Sequence, residues 1–184
     1  MNRLILASAS PRRRELLQQA GLDFDVIPSS ADETVPQGLS QEELVMTLAR
    51  LKAEDVFNSH PDRTVIGSDT LVFFDGKPLG KPASEEQAAE MLRMLSGKVH
   101  TVSSGVCICS PEQTICFAET TEVEFFPLTD EEITAYVATK EPLDKAGAYG
   151  IQGKGGLLVR RIAGDYYNVV GLPLARTVRA LRSL

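Results

Sequence analysis

The chain has 184 residues, 43% of them hydrophobic and 24% charged, with a formal net charge of −6. That length supplies a core for one large domain or two small lobes. The acidic balance excludes a general basic surface for DNA or RNA backbone, and no apolar run approaches the roughly 18 residues that a membrane span needs.

Residues 4–7 read as a first strand, and Ser8 to Leu17 as its junction with a first helix. Ser10 suits the N-cap, Pro11 suits the first helical position, and Leu16, Leu17 and Ala20 begin a stripe that Gly21 closes. Arg12, Arg13 and Arg14 fall in the first turn, where each cation is disfavoured by about 0.3–1 kcal/mol because the helix end is already positive. An anion among them, held by free N–H groups and guanidinium forks, would reverse that cost. The expectation is a phosphate site; the bland alternative is three solvated arginines. In an acidic chain, so local a cluster suits a small phosphorylated ligand better than a polymer.

Residues 24–27 form a second strand-like run, and Asp32-Glu33 lies in the polar connection after it, with Glu33 a candidate second carboxylate for a metal. Ser40-Gln41-Glu42-Glu43 is a capping box that opens a long helix to about residue 58. Its apolar stripe is Val45, Leu48, Ala49, Ala53 and Val56, and Lys52 falls in the middle of it. Such a lysine either snorkels to the surface or lines a cleft; beside an arginine cluster the cleft is favoured.

Residues 64–74 read as a buried strand interrupted at its centre by Ser68, Asp69 and Thr70. Asp69 shares a face with Leu71 and Phe73, because strand side chains alternate. A carboxylate there needs a partner, since burying it bare costs several kcal/mol. It is well placed to hold a divalent cation or take a proton from water, rather than merely to tie down a turn. Asp75-Gly76 signals a tight turn, and Lys81, in the loop that follows, is a further candidate for the same anion.

A second capping box, Ser84 to Gln87, heads a helix that Gly97 ends. Residues 99–109 and 114–126 are β-rich runs joined as a long hairpin through residues 110–113, and Thr129 caps a helix to about residue 139. Cys107, Cys109 and Cys116 lack metal-type spacing and read as reduced core thiols, hence a cytoplasmic setting. His100 and His60 read as structural, so a serine–histidine triad has little support. The glycine-dense stretch from Asp144 to Gly153 lets backbone approach a ligand, and Gln152 offers the donor and acceptor needed to read a base edge; a mobile surface loop is the alternative. A strand at residues 157–162 and a helix from about Leu174 complete the pattern. Mixed connections with long hairpins point to α/β or α+β with a mixed, twisted sheet flanked by helices. No linker divides the chain, so a single domain over residues 1–184 is expected.

Taken together, these segments resemble the Maf family (multicopy associated filamentation), the Maf-like nucleotide pyrophosphatases. The likeness runs nearly end to end. It is carried by Leu6 to Arg13, Asp32-Glu33, Lys52-Ala53, Gly67 to Thr70, Leu79 to Pro82, Leu95-Ser96-Gly97 with His100, Asp144 to Gly153, and Gly164 to Pro173. The resemblance implies a fold similar to the inosine triphosphate pyrophosphatases, an α/β body with two lobes around a deep cleft and commonly a homodimer. It implies hydrolysis of nucleoside triphosphates to monophosphate and pyrophosphate with a divalent cation (Mg2+, Mn2+ or Co2+), and a house-cleaning role in nucleotide metabolism. Asp69 matches the family's proton acceptor. Arg12, Thr70 and Gln152 match positions linked to preference for dTTP and UTP. Ser8, Arg12, Arg13, Lys52 and Lys81 are expected to bind the triphosphate, and Asp69 with Glu33 the metal.

Two rivals stand beside this reading. A kinase or monophosphatase is disfavoured, because there is no G-x-x-x-x-G-K-[ST] loop and no second aspartate two residues after Asp69. A non-catalytic nucleotide-binding regulator of cell division would bind triphosphate without turnover. Asp69 in an apolar strand is a poor choice for binding an anion and a sensible one for a metal, so the enzyme is preferred.

Overall fold

Strand β1 (Leu4–Leu6) is the start of the apolar run, and Ile5 and Leu6 are fully buried. Helix α1 (Pro11–Gln19) begins where the sequence says it should: the Ser10 hydroxyl accepts the Arg13 amide at 3.4 Å, with Pro11 in the first turn. It ends at Gly21, whose φ of +71° lets the Gly21 amide reach Gln18 O and the Leu22 amide reach Leu17 O. These observations come from a computed structural model describing residues 4–184.

The remaining elements follow in chain order: β2 (Phe24–Val26), α2 (Gln41–Ser59), β3 (Val65–Phe74), β4 (Lys77–Leu79), α3 (Glu85–Leu95), β5 (Val99–Cys109), β6 (Thr114–Phe125), α4 (Asp130–Ala138), β7 (Val159–Ala163), α5 (Tyr166–Val170) and α6 (Leu174–Leu181). Short 3-10 turns fill Glu141–Asp144, Ala146–Ala148 and Lys154–Leu158. Among the described residues, seven strands form one sheet in the order β2-β1-β3-β5-β6-β7, with β4 paired to β3. β1 is parallel to both β2 and β3, whereas β3–β4 and β6–β7 are antiparallel. This is the mixed α/β sheet expected.

Several local signals act as written. The capping boxes of α2 and α4 close in both directions. At α3 only half of the box forms: Ser84 accepts the Gln87 amide, but the Gln87 side chain accepts from Ala83 N rather than from Ser84. Asp75 and Gly76 both have positive φ, 48° and 72°, and turn β3 into β4, a strand the sequence marked only by its turn. The 3-10 turns and α5 carry no such signal in the sequence.

The chain divides into two units. The first comprises residues 4–70, Ser104–Glu119 and Gly171–Leu184; the second comprises Leu71–Ser103 and Thr120–Val170. In the first, Ile5, Ala7, Val56 and Val65 form one apolar cluster, and Ala49, Ala53, Cys107 and Cys109 another. The second is built around Leu92, Leu95, Val123, Phe125, Ile133 and Tyr149.

The cysteine reading needs correction. Cys107 and Cys116 form a disulfide, and only Cys109 is a free, buried thiol. The reason is register: Ser110 N bonds Gln113 O, which sets residues 107 and 116 directly opposite one another, with Cα atoms 4.2 Å apart. Cysteine usage therefore gives no support to a reducing compartment. Among the described residues, no helix is long and apolar enough to cross a membrane.

Candidate active site

The first unit brings three of the expected residues to one point. The stripe Val45, Leu48, Ala49, Ala53 and Val56 buries one face of α2, and two glycines allow that face to sit directly on the strands. A Cβ at Gly67 would overlap Ala49 O and Ala53 N, and one at Gly105 would overlap Val45 O. Helix backbone thus touches β3 two residues before Asp69, on the same strand face. From that contact Lys52 reaches Asp69 Oδ1 at 2.5 Å and Glu33 Oε1 at 3.1 Å. Asp69 is 9% exposed, so its required partner is supplied; Lys52 does not snorkel outward but bridges two carboxylates.

Thr70 leaves the opposite face of β3 and belongs to a different network. The Arg13 guanidinium, buried, donates from Nε to Gly171 O at 2.9 Å, from Nη1 to Ser8 Oγ at 3.0 Å and from Nη2 to Thr70 Oγ1 at 3.1 Å. Thr70 Oγ1 also lies 2.7 Å from Ser104 Oγ and donates to Gly171 O at 3.1 Å. Burial pulls the Arg13 pKa below its ordinary value; the Asp69 carboxylate opposes this, and the Arg12 charge adds to it.

The arginine run is therefore three different residues. Arg13 turns inward and spends three of its five N–H groups on the protein, Arg12 is half-buried, and Arg14 is exposed. Part of the tolerance for cations at this helix start comes from protein acceptors rather than from any ligand. Ser8 Oγ accepts from both Ser10 N and Arg13, which shapes the turn between β1 and α1. Gly171 and Ser104 were not foreseen. Gly171 has φ +137°, and the only advance hint for Ser104 is polarity inside an apolar strand.

Lys81 and Gln152, both exposed, belong to the second unit, Lys81 in the loop after β4 and Gln152 in the glycine-dense segment. His100 is there too. Its Nε2 lies 2.8 Å from Tyr149 Oη, its ring meets Phe125 and Tyr149 edge-on, and burial pushes its pKa down to about 4. It is a neutral core histidine, as expected.

Among the described residues, no three His, Cys, Asp or Glu side chains gather as ligands for a metal. Asp69 and Glu33 still make a pair of hard oxygen donors drawn to one cationic centre. That donor set fits a small divalent ion held by one or two carboxylates, with substrate oxygens and waters completing its shell.

A profile of the family described as "Maf-like protein" matches residues 3–184. The chain belongs to this family. A relative named "dTTP/UTP pyrophosphatase" from Bacillus mycoides (strain KBAB4) is 54% identical over 182 residues, 99% of this chain and 95% of that protein. One of the same name from Bacillus cereus (strain AH820) is 53% identical over the same shares. Among solved structures, the Staphylococcus aureus Ham1 protein is similar at a TM-score of 0.47 and 17% identity, covering 67% of this Maf-like chain and 72% of that one.

Proposed function

We infer that this chain is a nucleoside triphosphate pyrophosphatase, hydrolysing dTTP and UTP to the nucleoside monophosphate and pyrophosphate. The observation that carries this is the 54% identity, over 99% of the chain, to a relative bearing that activity in its name. The ion-paired acid of β3 supports it from the chemical side.

Asp69 is the proton acceptor of the reaction. Its Oδ1 is engaged by Lys52, and the other carboxylate oxygen is offered to a water. As that proton moves to Asp69, the water oxygen bonds to the α-phosphorus, the α–β bridging bond breaks, and its electron pair leaves with pyrophosphate. Lys52 releases part of its hold as negative charge shifts onto the phosphates, which it then offsets together with Arg12 and Lys81. Ser8 presents its hydroxyl at the start of α1, and Arg13 contributes its field while holding Ser8 and Thr70 in place. Asp69 and Glu33 would hold Mg2+, Mn2+ or Co2+. Such an ion supplies charge neutralisation on phosphoryl oxygens. Arg12, Thr70 and Gln152 set the preference for thymine and uracil, Thr70 by shaping the turn at Gly171 and Gln152 by its donor and acceptor.

The test is product analysis with a panel of nucleoside triphosphates and each of the three cations. Pyrophosphate release fastest from dTTP and UTP is the expected result. Release of orthophosphate alone would point to a phosphatase, and tight binding without turnover to the regulator.

A further inference from the structure

The glycine-dense segment of the second unit is anchored from within the protein. Glu141, which opens the 3-10 turn after α4, accepts three hydrogen bonds on its carboxylate: from Tyr136 Oη at 2.9 Å, Lys154 N at 3.1 Å and Gly155 N at 3.2 Å. Tyr136, only 4% exposed, in turn accepts the Gly150 amide on its hydroxyl at 3.1 Å. Two side chains therefore hold the backbone at residues 150, 154 and 155, on both sides of the exposed Gln152.

Two of the segment's glycines, Gly153 and Gly155, answer to the same two groups. A Cβ at Gly153 would lie 2.5 Å from both Glu141 carboxylate oxygens, and one at Gly155 would lie 2.5 Å from Tyr136 Oη and from Gly150 O. Close approach is needed here, but to Glu141 and Tyr136. Lys145 Nζ completes the anchor by donating to the Glu141 carbonyl at 2.8 Å and pairing with Asp144 at 2.7 Å.

We propose that Glu141 is a positioning residue for base selection: with Tyr136 it fixes the 150–155 backbone from which Gln152 reads the pyrimidine edge. This rests on the reading of Gln152 given above. A primary amide discriminates best when it reaches the base edge at a set distance and angle; an anchored backbone sets that starting point, and a loose one blurs the difference between the 4-oxo group of thymine and the 4-amino group of cytosine. Burial alone would raise the Glu141 pKa, but the bonds from Gly155, Lys154 and Tyr136 outweigh it and keep the carboxyl below its ordinary value. The anion that binds these donors is thus the resident form.

The experiment measures kcat and KM for dTTP and dCTP in the wild type, Glu141→Gln, Tyr136→Phe, Gln152→Ala and the double variant Glu141→Gln/Gln152→Ala. Glu141→Gln should lower the dTTP-to-dCTP ratio of kcat/KM about tenfold, through KM for dTTP, with kcat within about twofold. Tyr136→Phe should act in the same direction, and the double variant should discriminate no worse than Gln152→Ala. If Gln152→Ala destroys discrimination while Glu141→Gln leaves the ratio intact, Glu141 is only structural and the proposal falls alone. If Gln152→Ala itself leaves the ratio intact, the reading of Gln152 falls and takes the proposal with it. Should Glu141→Gln not fold, Tyr136→Phe decides: an unchanged ratio overturns the proposal and a reduced one supports it.

Discussion

Asp69 and Glu141 are both partly buried carboxylates, and the two units treat them differently. Asp69 is met by the end of a lysine side chain, whose ammonium it shares with Glu33. Glu141 is met by two backbone amides and a core tyrosine, donors that cannot leave without unfolding the segment that carries them. A flexible partner can be exchanged for a proton, a cation or a phosphate; a fixed set of amides cannot. The first arrangement suits a reacting group and the second an anchor.

Substitution at Asp69, the proposed proton acceptor, is the largest expected effect. Asp69→Asn should cut kcat by about 10³-fold while leaving the thermal midpoint within about 2 °C, because Lys52 keeps Glu33 as a partner. Steady-state assays and melting curves check both halves, and a folded, fully active variant would break the comparison. Gly67→Ala attacks the same pair from behind. Its Cβ would meet the α2 backbone, so a destabilisation of about 3 kcal/mol is expected, read by urea unfolding, with the Lys52–Asp69 pair displaced and turnover lost in whatever remains folded.

His100 extends the comparison to a buried base without a charge partner. The unfolded chain takes up a proton below pH 6.5 that the native histidine refuses until about pH 4. Stability is therefore full above pH 6.5 and falls as pH drops through that window, by about 3 kcal/mol in total. Denaturant titrations from pH 7 to 4 should show this slope, and His100→Gln should flatten it. Glu141→Gln is expected to cost the least, about 1–2 kcal/mol, from poorer acceptance of the Lys154 and Gly155 amides. Unfolding midpoints check this; a loss larger than that of Gly67→Ala would remove the ordering of the two regions.

Much of the candidate site is legible in the sequence. Asp69 stood out because a strand pattern of period two has no place for an unpaired acid, and Lys52 because a helical stripe of period 3.6 has no place for a cation. Each anomaly turns out to be the other's partner, at 2.5 Å. The arginine run was read as one feature, yet only Arg13 turns inward, since its neighbours differ from it by about 100° around the helix. The hairpin read through residues 110–113 already sets Cys107 opposite Cys116; what the sequence leaves open is whether the two facing thiols are joined. Sequence does not show what a bare Cα approaches within the protein: Gly147 lies against Val72, Gly150 against Lys145 and Gly153 against Glu141.

The sequence by itself determined most of the helices and long strands, the caps of α1, α2 and α4, and the two residues whose chemistry conflicts with their surroundings, since these depend on neighbours within a few positions along the chain. Tertiary structure alone decided that Arg13 meets Gly171, that Gly67 and Gly105 seat α2, and that Glu141 holds the amides of residues 154 and 155. Those pairings join residues as far as 158 positions apart. No local propensity encodes them; they follow from how the strands pack and which donors are left without a partner when they do.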